Sequence, residues 1–234
     1  MDDSSWKDFA SHLAELARNL LAQESVQDTL DLIVDNAVRL VDGCDYAGIL
    51  TVEGGRKVRT LASTHQLVRE SDAAQEEYAQ GPCFDAARKR NEIYRIKDMT
   101  TKVEQWHRYA PQARQLGIGS MMGILLYTED DNLGALDMYA AEPRTFTQES
   151  EQAGWLLASH AAVALSSARS HAQLATALES RSEIGEALGI LMERYKVSEA
   201  EAFAVLRKSS QDQNVKLRDI ARRVTETGEI PGAR

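Results

Sequence analysis

Residues 120–140 read SMMGILLYTEDDNLGALDMYA. Two apolar runs, 120–128 and 133–140, flank the acidic turn Glu129-Asp130-Asp131-Asn132. Short apolar runs bounded by turn residues read as strands, and a turn this short joins them antiparallel. The pattern has a counterpart upstream. YAGILTV (46–52) and KVRTLAS (57–63) are separated by Glu53-Gly54-Gly55, a second hairpin signal. Two hairpins make an antiparallel sheet, so the sequence predicts an α+β fold, not a doubly wound parallel one.

Between the hairpins, residues 65–79 read as a polar helix. Gly81-Pro82 breaks that pattern, and Pro82 can open a short helix through Arg90. EIYRI (92–96) is a short strand, and 101–116 is irregular to helical, interrupted by Pro111. Upstream, 4–22 is amphipathic, with Phe9, Leu13, Leu16 and Leu20 at helical steps. Ser25 is an N-cap for a second helix to about Val41, with Leu30, Ile33, Val34, Ala37, Val38 and Val41 inward. Downstream, Pro143 ends the sheet region and a helix runs from Thr147 to about Tyr195. Two short helices follow, at 198–209 and 215–227. Gly228 stands where a C-cap belongs, and Pro231 stops the chain soon after.

The last helices form a constellation of their own. Ile184, Leu188, Leu191 and Tyr195 make one apolar stripe. Ser198 and Glu201 have capping-box spacing. Ala202, Phe203 and Leu206 are expected to face inward on one short helix, and Leu217, Ile220, Ala221 and Val224 on the other. Three such helices need one another to bury a core, which predicts a small three-helix bundle. Gly185 and Gly189 each cost ~1 kcal/mol against Ala in mid-helix, so they mark a close helix approach within the bundle or a weak point. Leu174 and Leu178 continue the apolar steps of the long helix where nothing else in the chain covers them. This spacing, like that of a coiled coil, predicts a homodimer.

Charge divides the chain in the same place. Residues 1–178 carry 17 Lys/Arg against 26 Asp/Glu, and residues 179–234 carry 10 of each. Within 194–223 there are eight basic residues and four acidic ones, a local footprint that can meet a polyanion or simply keep short helices solvated. At 43% hydrophobic and 27% charged, the 234 residues suit a globular chain. No stretch approaches the ~18 apolar residues of a membrane span, and the acidic start MDDSSWKDF is no secretory signal. Cys44 and Cys83 make neither a disulfide framework nor a zinc pattern, so a cytoplasmic location is expected.

Catalytic signatures are missing. The five histidines fall in no metal-ligand spacing, and there is no phosphate loop or nucleophile elbow. Gly117, Gly119 and Gly123 are out of register for a dinucleotide fingerprint and lead into a strand. The expectation is a non-enzyme with no metal and no cofactor. Cys83, in Gly81-Pro82-Cys83-Phe84, is either a thiol activated at a helix N-terminus or a small buried hydrophobe. Trp106, beside His107, and Met122, beside Met121, are the other candidates for a ligand pocket.

Residues 181–228 resemble the ANTAR domain, an RNA-binding module of bacterial antitermination regulators. The matching residues are Ile184, Ala187-Leu188-Gly189, Leu191-Met192, Ala202-Phe203, Leu206-Arg207, Leu217 and Ile220-Ala221. Where the family carries Lys or another polar residue, this chain has Leu188. Either a basic contact is absent or the position serves packing. The resemblance implies hairpin RNA of nascent transcripts as the partner. Arg207 matches the family's Leu-Arg position. Charge and exposure add Lys208, Lys216, Arg218 and Arg222 as phosphate contacts, with Gln211 and Asn214 as base readers.

The preceding region resembles a GAF domain of the actinobacterial GAF–ANTAR type. The carriers are DTLDLIVDNAVRLVDGCDYAGILTV (28–52), QGPCFDA (80–86), LGIGSMMGILL (116–126), LGALDMYAAEPRTF (133–146) and HAAVALSSA (160–168). This implies a central antiparallel sheet with flanking helices and a possible small-molecule ligand, without the signatures for cyclic nucleotide, bilin or haem. The expected organisation is an N-terminal helix (1–25), a GAF-like sensor (26–168), a connecting helix (169–180) and an ANTAR unit (181–234). No receiver domain is present, so phosphoryl control within the chain is not expected. The function implied is a signal-responsive RNA-binding antiterminator. The alternatives are a scaffold acting through protein contacts, and a DNA-binding regulator reading bases with Gln213, Asn214 and Lys216.

Overall fold

Five strands carry the larger part of the molecule: β1 (Tyr46–Glu53), β2 (Lys57–Ser63), β3 (Ile93–Ile96), β4 (Ser120–Tyr127) and β5 (Asn132–Ala140). A computed structural model describes residues 3–89, 92–101, 104–129 and 131–230. The strands form one sheet in the order β2-β1-β5-β4-β3, with every neighbouring pair antiparallel. Both hairpins are present, and β5 bridges them by pairing with β1 on one side and β4 on the other. The helix end expected at Arg90, the turn residue Asp130 and the stop at Pro231 lie outside the described residues.

Strand alternation sends side chains to opposite faces. One face receives Ile49, Met122, Ile124, Leu136 and Met138, which pack with Phe9, Leu13, Leu16, Ile33, Ala37 and Leu157. Those residues come from α1 (Asp3–Leu21), α2 (Val26–Leu40) and the first turns of α6 (Gln148–Tyr195). Ser25 caps α2 as its spacing predicts, accepting from the Asp28 N–H. The other face receives Leu50, Met121, Ala135 and Tyr139, covered by α3 (Gln66–Tyr78), α4 (Pro82–Lys89) and α5 (Tyr109–Gln115). The polar reading of α3 has an unexpected consequence. Its buried residues are Val68, Ser71, Asp72 and Gln75, so three polar side chains face the sheet side.

By contact density the chain separates into residues 1–170 and 171–234. In the second unit the end of α6, α7 (Glu199–Gln213) and α8 (Leu217–Thr227) bury Ala187, Leu188, Leu191, Ala202, Leu206, Ile220, Ala221 and Val224. The capping box at Ser198 and Glu201 is formed, and Gly228 closes α8 in the left-handed region, at φ 71°. Leu188 takes a packing role.

Three expectations for this unit fail. Phe203 is 41% exposed, because Ala202, Leu206 and Ser209 occupy the inward arc and Phe203 lies about 100° round from Ala202. Tyr195 is exposed at the last residue of α6, past the packed stripe. A methyl group added at Gly185 or Gly189 meets nothing within 4 Å among the described residues, so of the two readings of these glycines the close helix approach fails and the weak point in the helix stands.

Candidate functional site

In the C-terminal unit, α7 presents Arg207, Lys208 and Gln211 to solvent, and none has an ion pair among the described residues. Arg207 and Gln211 share one face, four residues apart, and Lys208 lies a step round. Asn214 ends the helix at φ 53°, its N–H donating to the Gln211 and Ser210 carbonyls. That left-handed cap, which Asn tolerates, turns the chain sharply, and Lys216 follows as the exposed N-cap of α8. These five polar groups therefore lie along one exposed helix-turn segment.

The remaining two candidates face elsewhere. Arg222 donates from Nε and Nη2 to Glu183 Oε1 at 3.0 and 2.7 Å, tying α8 to α6. Arg218 stands 3.6 Å from the Asp219 carboxylate. Spacing alone cannot reveal such pairing, since Glu183 is distant in sequence. Arg223, absent from the expected set, is exposed with no ion pair among the described residues.

In the sheet unit, Cys83 and Trp106 belong to the cluster beneath α3, α4 and α5, as does Met121. Met122 lies in the cluster on the opposite face. The three pocket candidates therefore do not line one cavity, and His107 is exposed. Trp106 donates to Asp85 at 3.0 Å and meets the Tyr94 ring edge-on. Cys83 is fully buried. Burial pushes its thiol well above the usual range, with Asp137 next among the causes, so desolvation outweighs any help from the helix N-terminus. The N–H groups that begin α4, on Cys83 and Phe84, donate instead to Gln75 Oε1 at 3.2 and 3.1 Å.

The most unusual residue there is Asp137. It lies on β5 between two glycines, Gly48 on β1 and Gly123 on β4. Both gaps are filled from above: a methyl group at Gly123 would come within 2.9 Å of Cys83 Sγ, and one at Gly48 within 2.3 Å of Val68 Cγ1. Asp137 is fully buried, and among the described residues no N–H or O–H donor reaches either oxygen. The Cys83 thiol is its one hydrogen-bonding neighbour among the described residues. Nearby Asp72 accepts from Thr60 at 2.6 Å and from Tyr139 at 3.4 Å. Burial pushes Asp72 up to about 7 and Asp137 well above the carboxylate range, the latter reinforced by Asp72. Tyr109 completes the cluster, bonded to Ser71 at 2.7 Å. One sequence signal was available: an acid inside the apolar alternation of β5.

Two family profiles match the chain: the GAF domain over residues 23–166 and the ANTAR domain over residues 172–224. No curated protein matches it. Among solved structures, the chain is similar to the chromophore-binding domain of an unusual bacteriophytochrome from R. palustris. Identity is 12% and the TM-score 0.53, covering 70% of this chain and 63% of that one. The Stigmatella aurantiaca phytochrome photosensory core module aligns at 13% identity and TM-score 0.62, over 90% of this chain and 46% of that one. The GAF domain of a Coxiella burnetii phosphoenolpyruvate-protein phosphotransferase aligns at 18% identity and TM-score 0.54, over 70% and 96%. The chain thus spans about half to two thirds of the two phytochrome fragments. At such identities these likenesses speak for the fold alone.

Proposed function

The chain belongs to the GAF domain family and carries an ANTAR domain behind its sensor, and from that premise we propose that it is a signal-responsive, RNA-binding transcription antiterminator. In this reading the sensor covers residues 26–168, a connecting helix 169–180 and the RNA-binding unit 181–234. The unit holds hairpin RNA in a nascent transcript and so keeps a terminator from forming. The observation that carries the reading is the free polar segment Arg207, Lys208, Gln211, Asn214 and Lys216 within the stretch that matches the ANTAR domain. Cations neutralise phosphates there, and amides meet the base edges that only an unpaired loop offers.

A homodimer suits this task. Leu174 and Leu178 are 59% and 60% exposed on α6. A partner helix over them would place two RNA-binding units on one tether, which raises the effective concentration for a second hairpin.

The test is a titration of the full chain with hairpin RNA and, in competition, with duplex DNA. Replacing both Arg207 and Lys208 with Ala is expected to weaken hairpin binding and to flatten the plot of log affinity against log salt by about 1 to 2. Unchanged affinity and slope would remove this surface. A preference for duplex DNA would turn the reading towards a DNA-binding regulator. Failure of the parent chain to bind any nucleic acid would favour the scaffold reading, in which the buried Leu188 marks a unit kept for packing.

A further inference from the structure

We infer that Phe203 is a stacking platform for an unpaired RNA base, an assignment that rests on the RNA reading above. Phe203 is 41% exposed on α7, one residue past the inward Ala202 and three before the inward Leu206. No aromatic ring or guanidinium among the described residues packs on it. A helical side chain leans over the turn that precedes it. There the chain supplies Ala200, exposed and only a methyl group in size, with the exposed Glu199 beside it, and the next residue is the equally small Ala204. The ring is left open to a flat guest.

The surroundings indicate which guest. Arg207 lies one turn on, on the same side of the helix, and its guanidinium is unpaired among the described residues. Gln211 stands a further turn on and Lys208 beside it. The stripe therefore runs from an aromatic face, through a planar cation, to an amide that can both donate and accept. A nucleobase with its phosphate presents the complement of all three: a π face, an anion and a hydrogen-bonding edge. In duplex DNA the base faces are stacked and unavailable. In an RNA hairpin loop they are free.

The experiment uses the full chain and a pool of RNA hairpins with one stem and randomised loops, from which the parent protein selects its binders. The selected hairpin is then titrated against the parent and against Phe203→Ala, Phe203→Leu and Phe203→Tyr. Stacking contributes roughly a 5- to 100-fold change in affinity per base. Phe203→Ala and Phe203→Leu should each weaken binding by that factor while leaving the salt slope as in the parent. Phe203→Tyr should restore parental affinity. Arg207→Ala, in contrast, should lower the slope. Parental affinity in Phe203→Ala overturns the proposal. So does full rescue by Leu, which would show apolar packing without a π face. A change of oligomeric state in Phe203→Ala with RNA affinity intact would assign the ring to a protein contact. If the parent retains no hairpin from the pool, the RNA reading itself fails, a result separate from any behaviour of the variants.

Discussion

Asp137 shows how a single side chain can be set by neighbours far away in sequence. On a sheet flanked by ordinary residues its carboxyl would be crowded; between Gly48 and Gly123 it has room, and Cys83 and Val68 close over it. A carboxylate without donors in such a place favours its protonated form. Asp72 has donors in Thr60 and Tyr139, but its burial outweighs them and raises it to about 7. The folded state therefore holds protons that the unfolded chain has released above about pH 4. Stability contributed by these two groups is greatest below that value and falls as pH rises towards and through the folded pKa values. Asp137→Asn keeps the shape and removes one titration. Urea midpoints measured across this range should fall less steeply with pH in the variant than in the parent. A parallel fall would mean that Asp137 is not the group responsible. An acid inside the apolar pattern of β5 marks the position, but the pattern does not say that both faces are covered, because burial of Asp137 depends on α3 and α4 arriving from elsewhere.

At the level of elements, the helices and hairpins follow their local signals closely. Ser25 and Ser198 cap the helices their spacing predicts, the first hairpin turns at Glu53-Gly54-Gly55, and the second pairs its strands from Tyr127 and Asn132 inward. These features depend on contacts a few residues apart, so the sequence carries them directly. Which face an element buries is harder to read when it is short. α7 has apolar residues on several sides, Ala202 and Leu206 on one and Phe203 and Val205 on two others, and only the packing of α6 and α8 selects the first. The glycines of α6 are a related case. Because a methyl group at Gly185 or Gly189 meets only open space, Gly185→Ala and Gly189→Ala should each stabilise the C-terminal unit by roughly 0.5–1 kcal/mol. Denaturant unfolding monitored by helical circular dichroism would measure it. A loss of stability would mean that a partner or a second copy approaches that face in solution.

For the whole molecule, the long α6 carries the same problem to larger scale. Its first turns are buried against the sheet, while Leu174 and Leu178 remain exposed. Burying such a side chain gains roughly 1.5–3 kcal/mol before association costs. Leu174→Glu combined with Leu178→Glu should therefore yield monomers by sedimentation and lower RNA affinity, with helical content preserved. A parent chain that sediments as a monomer at tens of micromolar would leave these leucines without the proposed partner. The antiparallel sheet, the sensor-then-bundle order and the basic character of the C-terminal end were all legible in the amino-acid sequence. Each is written in local periodicity, turn chemistry or charge, which need no distant partner to act. Tertiary structure alone decided that Arg222 pairs with Glu183, that Met122 and Cys83 look to opposite faces of the sheet, and that Phe203 stands in solvent while Asp137 does not. Those outcomes depend on which residues the folded chain brings within a few ångströms of one another, and burial, unlike periodicity, is a property of that whole arrangement.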